Sequence, residues 1–454
     1  MSSETVETVY GLMPRQLSCA SLKDLCVDAG IQTGPFGSQL HQEDYVQFGT
    51  PIITVEHLGE NRIVHTNLPQ VSDEDKARLS KYVLKTGDIV FSRVGSVDRR
   101  ALVQPAEDGW LFSGRCLRVR PNPDRLDAQW LSYFFGLPAF KNYIRGIAVG
   151  ATMPSLNTKI LSDVPVYFPD LSTQKAAAEV LAKIDDRITL LRETNTTLEA
   201  IAQALFKSWF VDFDPVHAKM QGRAPEGMDE ATADLFPDSF EGSELGPVPK
   251  GWRVERLGEV CSYLNRGISP KYLEEGGVLV INQKCIRDFS VDYSKARRHD
   301  KAQRKIDGRQ LVVGDILVNS TGVGTLGRVA QVLTSNEVVI VDSHVTVVRA
   351  GGKLSWPYLG QWMTRQQPNI EAMGEGSTGQ TELARSKLSV MPILVPSVDA
   401  LRLFDEVVTS LKERIAVNEA CVSELAKLRD TLLPRLISGQ LQLPDAQQNF
   451  EEAL

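Results

Sequence analysis

The stretch that decides the fold lies in the middle of the chain and reads AAEVLAKIDDRITLLRETNTTLEAIAQALFKSW (residues 177–209). Its seam residues recur at alternating spacings of three and four: Leu181, Ile184, Ile188, Leu191, Asn195, Leu198, Ala202, Leu205 and Trp209. This is the a/d pattern of a heptad repeat, so it predicts one long helix with a continuous seam that pairs with another helix. The alternative is an amphipathic helix that lies on its own domain.

A second seam near the end of the chain repeats the pattern. Its members are Phe404, Val408, Leu411, Ile415, Asn418, Val422, Leu425, Arg429, Leu432 and Leu436. Two matching seams in one chain favour an antiparallel coiled coil in which Asn195 faces Asn418 and sets the register at a cost in stability. On that hypothesis, Asn195→Leu raises the melting temperature and loosens the register. The alternative places both asparagines toward solvent.

The chain also matches itself at an offset of 227 residues, which indicates an internal duplication. Residues 87–90 (GDIV) fall on residues 314–317 (GDIL), Pro165 on Pro392, and Arg187-Ile188 on Arg414-Ile415; Leu198 and Leu205 fall on Leu425 and Leu432. Each half is therefore predicted to be a globular domain followed by a long helix.

Short β-branched runs alternate with helical patches in both globular segments. The predicted strands are 51–55, 88–94, 278–282, 316–320 and 338–341, and the helical patches are 128–143 and 356–369. The pattern predicts an α+β fold: two tandem domains in a pseudo-two-fold arrangement, separated by two long helices that form an antiparallel coiled coil. The predicted divisions are 1–19, 20–170, 171–212, an acidic linker 213–250, 251–398, 399–438 and an acidic tail 439–454.

The composition limits the function classes. A hydrophobic fraction of 42% and no long apolar run are typical of a cytoplasmic protein, and no metal site is expected because the six cysteines and six histidines form no ligand cluster. The formal charge of −7 is concentrated in residues 222–249 (−6) and 440–454 (−3), which leaves +2 elsewhere. An acidic total is therefore compatible with a DNA-facing body.

Catalytic motifs are missing from the sequence. It contains no Asp/Asn-Pro-Pro-aromatic loop of an adenine methyltransferase and no phosphate-binding P-loop. Residues 322–327 (GVGTLG) match the dinucleotide fingerprint, but the following residues 328–333 (RVAQVL) predict a return strand rather than a helix. No catalytic residue and no cofactor are therefore assigned to this chain.

Several strings resemble the specificity subunits of type I restriction-modification enzymes. They are IQTGPFGSQL (31–40), SRVGS (92–96), ATMPSLN (151–157) with VPV (164–166), and ALFKSWFVDFDPV (204–216). The likeness extends over residues 20–438. It implies that domains 20–170 and 251–398 are target-recognition domains, each reading one half of a split double-stranded DNA target. Helices about 50 Å long would hold these readers more than one DNA turn apart.

The resemblance also implies the partners of the chain. Two modification subunits would bind S-adenosylmethionine and methylate adenine, and restriction subunits would use ATP and magnesium in a bacterial or archaeal cytoplasm. The second half departs from the first, since residues 34–40 (GPFGSQL) correspond to NRGISPKY (265–272). Unlike domains are expected to read unlike half-sites, and hence an asymmetric target.

Candidate DNA-binding residues lie on the predicted loops and in a basic segment, residues 295–309, that carries net +5. They are Ser92, Arg93, Arg99, Arg100, Arg115 and Thr152 in the first half, and Lys271, Tyr272, Arg297, Arg298, Lys301, Arg304, Lys305, Asn319, Thr321, Thr378 and Gln380 in the second. Arginine and amide side chains can read base edges, but a solvated basic face or simple turn capping would use the same residues. An enzyme with divergent motifs and a protein-binding coiled-coil scaffold remain rival functions.

Overall fold

The computed structural model describes residues 5–150, 152–335, 337–375 and 381–441. They form two compact units: unit 1, Met1–Thr189 with Val422–Leu454, and unit 2, Leu190–Cys421. Both units combine short strands with helices, so the predicted α+β class is confirmed. None of the helices in these ranges is long and apolar enough to cross a membrane.

The two predicted long helices are present, each with 40 residues: the central helix, Leu171–Phe210, and the C-terminal helix, Val398–Ile437. At about 1.5 Å per residue each is roughly 60 Å long. Asp170 caps the start of the central helix by accepting a hydrogen bond from the Thr173 amide at 3.0 Å. The chain leaves the C-terminal helix at Gly439, whose φ of +68° suits a helix stop.

The predicted contact between the two seam asparagines is present in unit 2. Asn418 Nδ2 donates to Asn195 Oδ1 at 2.8 Å, and Asn195 Nδ2 donates to the Ile415 carbonyl at 3.4 Å. Four residues further along the central helix, Glu199 accepts a hydrogen bond from Lys412 at 2.6 Å. Because advancing along the central helix moves the partner back along the C-terminal helix, the two helices run antiparallel in this unit.

Seam residues of both helices, including the two asparagines, are buried or half-buried. Leu181, Ile184, Ile188, Leu191, Ile415, Asn418, Leu425 and Leu432 are buried, and Asn195, Leu198, Leu205, Leu411 and Val422 are half-buried. The end of the central helix also packs on the core of unit 2, where the Phe210 ring lies 5.0 Å from Tyr358 and 5.1 Å from Phe404. The helices therefore contact both each other and a globular domain.

Unit 1 contains two four-stranded sheets. Its antiparallel sheet has the strand order Cys26–Thr33, Cys116–Pro121, Ile89–Ser92, Arg100–Leu102, and its mixed sheet has the order Leu111–Phe112, Thr50–Ile53, Gln70–Val71, Tyr45–Val46. Two-stranded pairs join Thr5–Thr8 with Gly11–Pro14 and Ser18–Ser21 with Pro165–Phe168; the shorter helices are Asp73–Arg78, Ala128–Phe134, Pro138–Ile147 and Thr158–Ser162. The patch predicted at 128–143 is thus two helices, because Pro138 starts a new one.

Unit 2 repeats this layout. Its antiparallel sheet has the order Cys261–Arg266, Val345–Ala350, Ile316–Asn319, Val329–Gln331, and its mixed sheet has the order Val339–Val341, Val278–Ile281, Arg297–His299, Tyr272–Leu273. Two-stranded pairs join Phe240–Ser243 with Gly246–Pro249, Arg253–Arg256 with Pro392–Val395, and Ile286–Arg287 with Ser290–Val291. The shorter helices are Asp214–Met220, Glu230–Asp234, Leu257–Val260, Trp356–Ala372 and Arg385–Ser389.

The repeated Gly-Asp-Ile string builds the same buried turn in both units. Asp88 and Asp315 are fully buried and accept the amides of Lys85 and Val312 at 2.8 and 2.9 Å. Each carboxylate is also paired with an arginine at 2.6 and 2.7 Å, Arg120 in unit 1 and Arg349 in unit 2. The preceding glycines, Gly87 and Gly314, have φ of +89° and +92°, which a residue with a side chain rarely adopts.

Two further predictions from the sequence concern residues 322–327 and the segment 213–250. Residues 322–327 form a turn between Ile316–Asn319 and Val329–Gln331, which pair antiparallel, so the fingerprint opens no helix. The segment predicted as an acidic linker, 213–250, contains folded elements, and its Phe236 and Val248 are buried in the core of unit 2.

Candidate nucleic-acid interface

The basic segment of unit 2, residues 295–309, contains the strand Arg297–His299 and continues from it as a largely exposed loop. Arg297–His299 pairs antiparallel with Tyr272–Leu273, which brings the Arg297 guanidinium 3.4 Å from the centre of the Tyr272 ring. Burial raises the pKa of Tyr272, so its hydroxyl stays protonated at neutral pH. The pair offers an aromatic ring, a hydroxyl and a planar cation on one exposed strand edge.

A buried histidine holds the exposed loop in place. His299 Nδ1 accepts the Lys271 amide at 2.9 Å, and Nε2 lies 2.8 Å from the Arg304 carbonyl. Nδ1 also lies 3.2 Å from the Lys271 carbonyl, so both ring nitrogens hold the loop through backbone groups. Sequence reasoning missed this residue, because a lone histidine among arginines carries no pattern that marks it as buried.

The cations of the basic segment differ in how free they are. Arg298 forms an ion pair with Glu337, and Arg304 donates to the Ser269 carbonyl at 3.0 Å. Lys301 and Lys305 are exposed and make no hydrogen bond or ion pair with the residues that the structure describes. Of these four, the two lysines are the ones that can reach an external anion without breaking an internal contact.

In unit 1, the candidate residues gather around a hairpin end. The Arg93 guanidinium lies 4.6 Å from the centre of the Phe36 ring and donates to the Gly114 carbonyl at 3.2 Å. The Arg93 amide donates to the carbonyl of Arg115, whose side chain is exposed. Phe36, which comes from the string 31–40, is 49% exposed. An exposed ring under an arginine is a surface on which a base or sugar can stack.

The loop carrying Thr152 is brought to the same hairpin by backbone hydrogen bonds. The Gly95 amide donates to Pro154 at 2.9 Å, and the Leu156 amide donates to Arg93 at 2.8 Å. Thr152 is exposed there. A Cβ atom at Gly150, whose φ is +112°, would lie 2.6 Å from the Met153 carbonyl, so this tight loop requires glycine. The structure therefore brings Arg93, Arg115 and Thr152 to one end of unit 1.

Three predicted DNA-binding residues are inside the domains, which corrects the sequence analysis. The Ser92 hydroxyl is buried and donates to the Val94 carbonyl at 2.9 Å. Arg100 is buried and donates to the Ser132 carbonyl at 3.0 Å, and burial lowers its pKa to about 10. Asn319 is buried and donates to the Gln283 carbonyl at 3.3 Å. These side chains serve the fold and are closed to DNA in this conformation.

The remaining candidates are less available or are not described. Arg99 is half-buried and donates to the Leu58 carbonyl. The Thr321 hydroxyl is bonded to His344 Nδ1 at 2.9 Å and to the Gln283 amide. Thr378 and Gln380 lie outside the described residues.

Equivalent positions of the two units carry different surfaces. Tyr45 occupies in unit 1 the place that Tyr272 has in unit 2, but Asp44 stands where unit 2 has Lys271. The basic segment, at net +5, corresponds to residues 68–82, where three acids and three bases cancel. The frame is therefore shared, whereas the charge that it presents is not.

Known proteins are similar to this chain over most of its length. A family model described as the type I restriction modification DNA specificity domain matches residues 21–200. The HindI specificity subunit of Haemophilus influenzae is 24% identical, covering 84% of this chain and 92% of that protein. The MjaIX specificity subunit of Methanocaldococcus jannaschii is 23% identical, covering 98% of both.

A solved structure shares the fold. The S subunit of a type I restriction-modification system from M. genitalium has a TM-score of 0.55 at 16% identity, covering 92% of this chain and 96% of that chain. Residues 21–200 therefore match the DNA specificity domain of type I restriction-modification enzymes, and the chain is similar almost from end to end to specificity subunits of such enzymes.

Proposed function

We propose that this chain directs a type I restriction-modification complex to a double-stranded DNA target made of two unlike halves. The globular domain of unit 1 reads one half and that of unit 2 reads the other. The observation that carries the proposal is the duplicated frame with unlike surfaces, seen most clearly in the Lys271/Asp44 exchange and the differing charge of the basic segment. Two readers of different chemistry require an asymmetric target.

In unit 2, the basic segment is proposed to contact the phosphate backbone. Lys301 and Lys305 supply point charges for phosphates, and their neutralisation would release counterions from the DNA. The Arg297–Tyr272 pair supplies planar groups suited to base edges or sugars. In unit 1, Arg93 over Phe36, together with Arg115 and Thr152, forms the proposed reading surface.

The proposed partners supply the chemistry. Two modification subunits that bind S-adenosylmethionine would methylate adenine, and restriction subunits using ATP and magnesium would move and cut unmodified DNA. The relatives support this proposal, because their names describe specificity subunits of restriction enzymes. The role of this chain is to choose the site and to hold the subunits together, without a catalytic group of its own.

The helix pair is proposed to set the distance between half-sites. Each helix has 40 residues, and the Asn195–Asn418 contact supports a single register for the pair. Inserting one helical turn into both helices, on the same side of that contact, is expected to lengthen the spacer between methylated half-sites. Unchanged spacing in the methylated genome would contradict this part of the proposal.

Charge reversal in the basic segment tests DNA binding directly. Lys301→Glu with Lys305→Glu is expected to weaken DNA binding by the complex with modification subunits, on the order of tenfold at physiological salt. The slope of log affinity against log salt should fall by about 0.9 for each phosphate that the protein no longer neutralises. Fluorescence anisotropy with a duplex that contains the methylated site, over a salt series, measures both quantities.

Lys250→Glu is the matched control, because Lys250 is an exposed lysine of the same unit outside the basic segment. It should leave both the affinity and the slope unchanged. A folded double variant that binds DNA as the parent does would refute the assignment of the basic segment. Failure of the parent complex to retain DNA would favour the scaffold, whereas methyl transfer from labelled S-adenosylmethionine by the purified chain alone would favour an enzyme.

A further inference from the structure

An ion pair joins the two long helices in each unit. In unit 1, Arg429 donates to Asp185 at 3.0 Å; in unit 2, Lys412 donates to Glu199 at 2.6 Å. The central helix carries the acid both times. The offset of 227 residues makes Asp185 the equivalent of Lys412, so the two helices carry opposite charges at this one pair of equivalent positions; Glu199 and Arg429 correspond to Ala426 and Ala202.

Both ion pairs are largely shielded from water and are held by the globular domains. The side chains of Asp185 and Arg429 are 13% and 15% exposed, and those of Glu199 and Lys412 are 28% and 7% exposed. Tyr133 donates to Asp185 at 2.7 Å, and the Gln361 amide donates to Glu199 at 3.0 Å. Charges in such positions are weakly screened, so a wrong partner would be strongly unfavourable.

A second copy of the chain offers the wrong partners. The two helices have equal length and matching seams, so one can take the place of the other in a pair. If two central helices paired, Asp185 of one copy would replace Lys412 and face Glu199 of the other. If two C-terminal helices paired, Lys412 of one copy would replace Asp185 and face Arg429 of the other. Each symmetric pair would contain its like-charge contact twice.

The contact between Asn195 and Asn418 also favours the native helix pair over a pair formed with a second copy of the chain. Asn195 and Asn418 are not equivalent under the repeat, since Asn195 corresponds to Val422 and Asn418 corresponds to Leu191. In a pair of central helices, Asn195 would therefore meet Leu191 of the second copy. In a pair of C-terminal helices, Asn418 would meet Val422. Each mispairing would leave a seam amide without the partner that it has in the native pair.

We propose that these opposed charges, together with the asparagine contact, make the central helix selective for the C-terminal helix and prevent exchange with a second copy of this chain. The apolar seam offers little discrimination, because its residues at 188, 198 and 205 are identical to those at 415, 425 and 432, and Leu181 and Ile184 correspond to the aliphatic Val408 and Leu411. Discrimination therefore needs polar residues whose wrong pairings are costly. The inference rests on the helix pair and is independent of DNA recognition.

The test exchanges the charges of one ion pair in the full chain. Asn195→Leu with Asn418→Leu provides the background, so that the charges are the remaining discriminators. Adding Glu199→Lys with Lys412→Glu keeps opposite charges within the chain, but turns both like-charge contacts of the mispaired helices into attractive ones. After refolding over a series of concentrations, sedimentation velocity should show a dimer dissociation constant at least about tenfold lower than in the background.

A further reversal serves as the matched control. Adding Asp185→Lys with Arg429→Glu to the exchanged variant places lysines at both positions of the central helix and glutamates at both positions of the C-terminal helix. Both mispaired arrangements then contain like-charge contacts again, so the protein should return to monomer. The proposal is overturned if the exchanged variant refolds as a monomer at every concentration, or if the fourfold charge variant dimerises equally. If the exchanged variant does not fold, Glu199→Gln with Lys412→Gln in the same background replaces it: increased dimer supports the proposal, and none overturns it.

Discussion

Unit 1 and unit 2 share their buried turns and differ in the charges that they expose. Asp88 and Asp315 accept backbone amides and an arginine in the same way, and the strand order of both sheets is repeated. A buried carboxylate without those partners would be costly, so the turn tolerates few alternatives. Positions 44 and 271 lie outside these turns and carry opposite charges: Asp44 is half-buried and accepts the His41 amide at 2.7 Å, whereas Lys271 is exposed. Duplication has thus kept a frame and varied its surface.

The surfaces also differ in kind. Unit 2 presents cations on the loop that His299 holds, whereas unit 1 presents Arg93 stacked over Phe36 at a hairpin end. The first arrangement suits phosphate contact and the second suits stacking and edge recognition. The two halves of the proposed target are therefore expected to be bound with different salt dependence.

The largest effect on stability is expected at the buried turns of Asp88 and Asp315, where the two units are most alike. Asp88→Ala and Asp315→Ala should each lower the free energy of unfolding by about 3–5 kcal/mol, because each leaves a part-buried arginine and a backbone amide unpaired. Hydrogen exchange read by peptide mass spectrometry should place each loss in its own unit. Asp124→Ala, at an exposed carboxylate of unit 1, is the control and should change little. Unequal losses at 88 and 315 would break the claim of a common frame.

The seam asparagines are expected to give the next largest effect on stability. The sequence alone predicted that Asn195→Leu raises the melting temperature, whereas the contact seen in the structure predicts that it lowers stability. Asn195→Leu alone should lower the free energy of unfolding by about 1–3 kcal/mol, because it strands the Asn418 amide, which is 2% exposed. Asn195→Leu with Asn418→Leu should instead raise the melting temperature. Thermal unfolding followed by circular dichroism measures both. A single variant more stable than the parent would contradict the observed contact.

The smallest effect on stability is expected at Asp405, a position where the two long helices differ. Asp405 on the C-terminal helix accepts a hydrogen bond from Ser355, and burial raises its pKa to about 6, whereas Ala178 stands at the equivalent place on the central helix. The folded state therefore holds a proton that the unfolded state has lost between about pH 4 and pH 6. Stability from this group is present below that window and falls as the pH rises through it.

Asp405→Asn should remove that dependence. Its gain over the parent at pH 7 is expected to be about 1 kcal/mol, since partial exposure screens the carboxylate. Denaturant unfolding at pH 4 and pH 7 gives the comparison, with Ala178→Ser as a control that adds no titrating group. An equal stability difference at both pH values would show that the carboxylate does not titrate in this range.

Local patterns in the sequence predicted much of the frame. The heptad spacing located both long helices, and the β-branched runs near residues 52, 90, 280, 317 and 340 are strands in the structure. The repeat at 227 residues is matched by helix bounds of 171–210 and 398–437. These features depend on spacing along the chain, which a sequence displays directly.

Burial of individual polar residues could not be predicted in the same way. Ser92 and Asn319 lie in predicted strands and Arg100 begins a strand that was not predicted, but the side of the sheet and the layer above it decide whether these side chains face solvent. Contacts far apart in sequence, such as His299 with Lys271, likewise leave no local signal. The candidate interface therefore needed the structure to separate exposed cations from those that serve the fold.

The most direct test of the account exchanges one reader and maps methylated adenines. Residues 20–170 would be replaced by the corresponding domain of another family member, in a host that carries the complete system, and the modified genome would be sequenced at single-molecule level. One half of the methylated target is expected to change, while the other half and the spacing between them are retained. A target that changes in both halves, or in neither, would contradict the central claim that two units of one frame read two unlike half-sites.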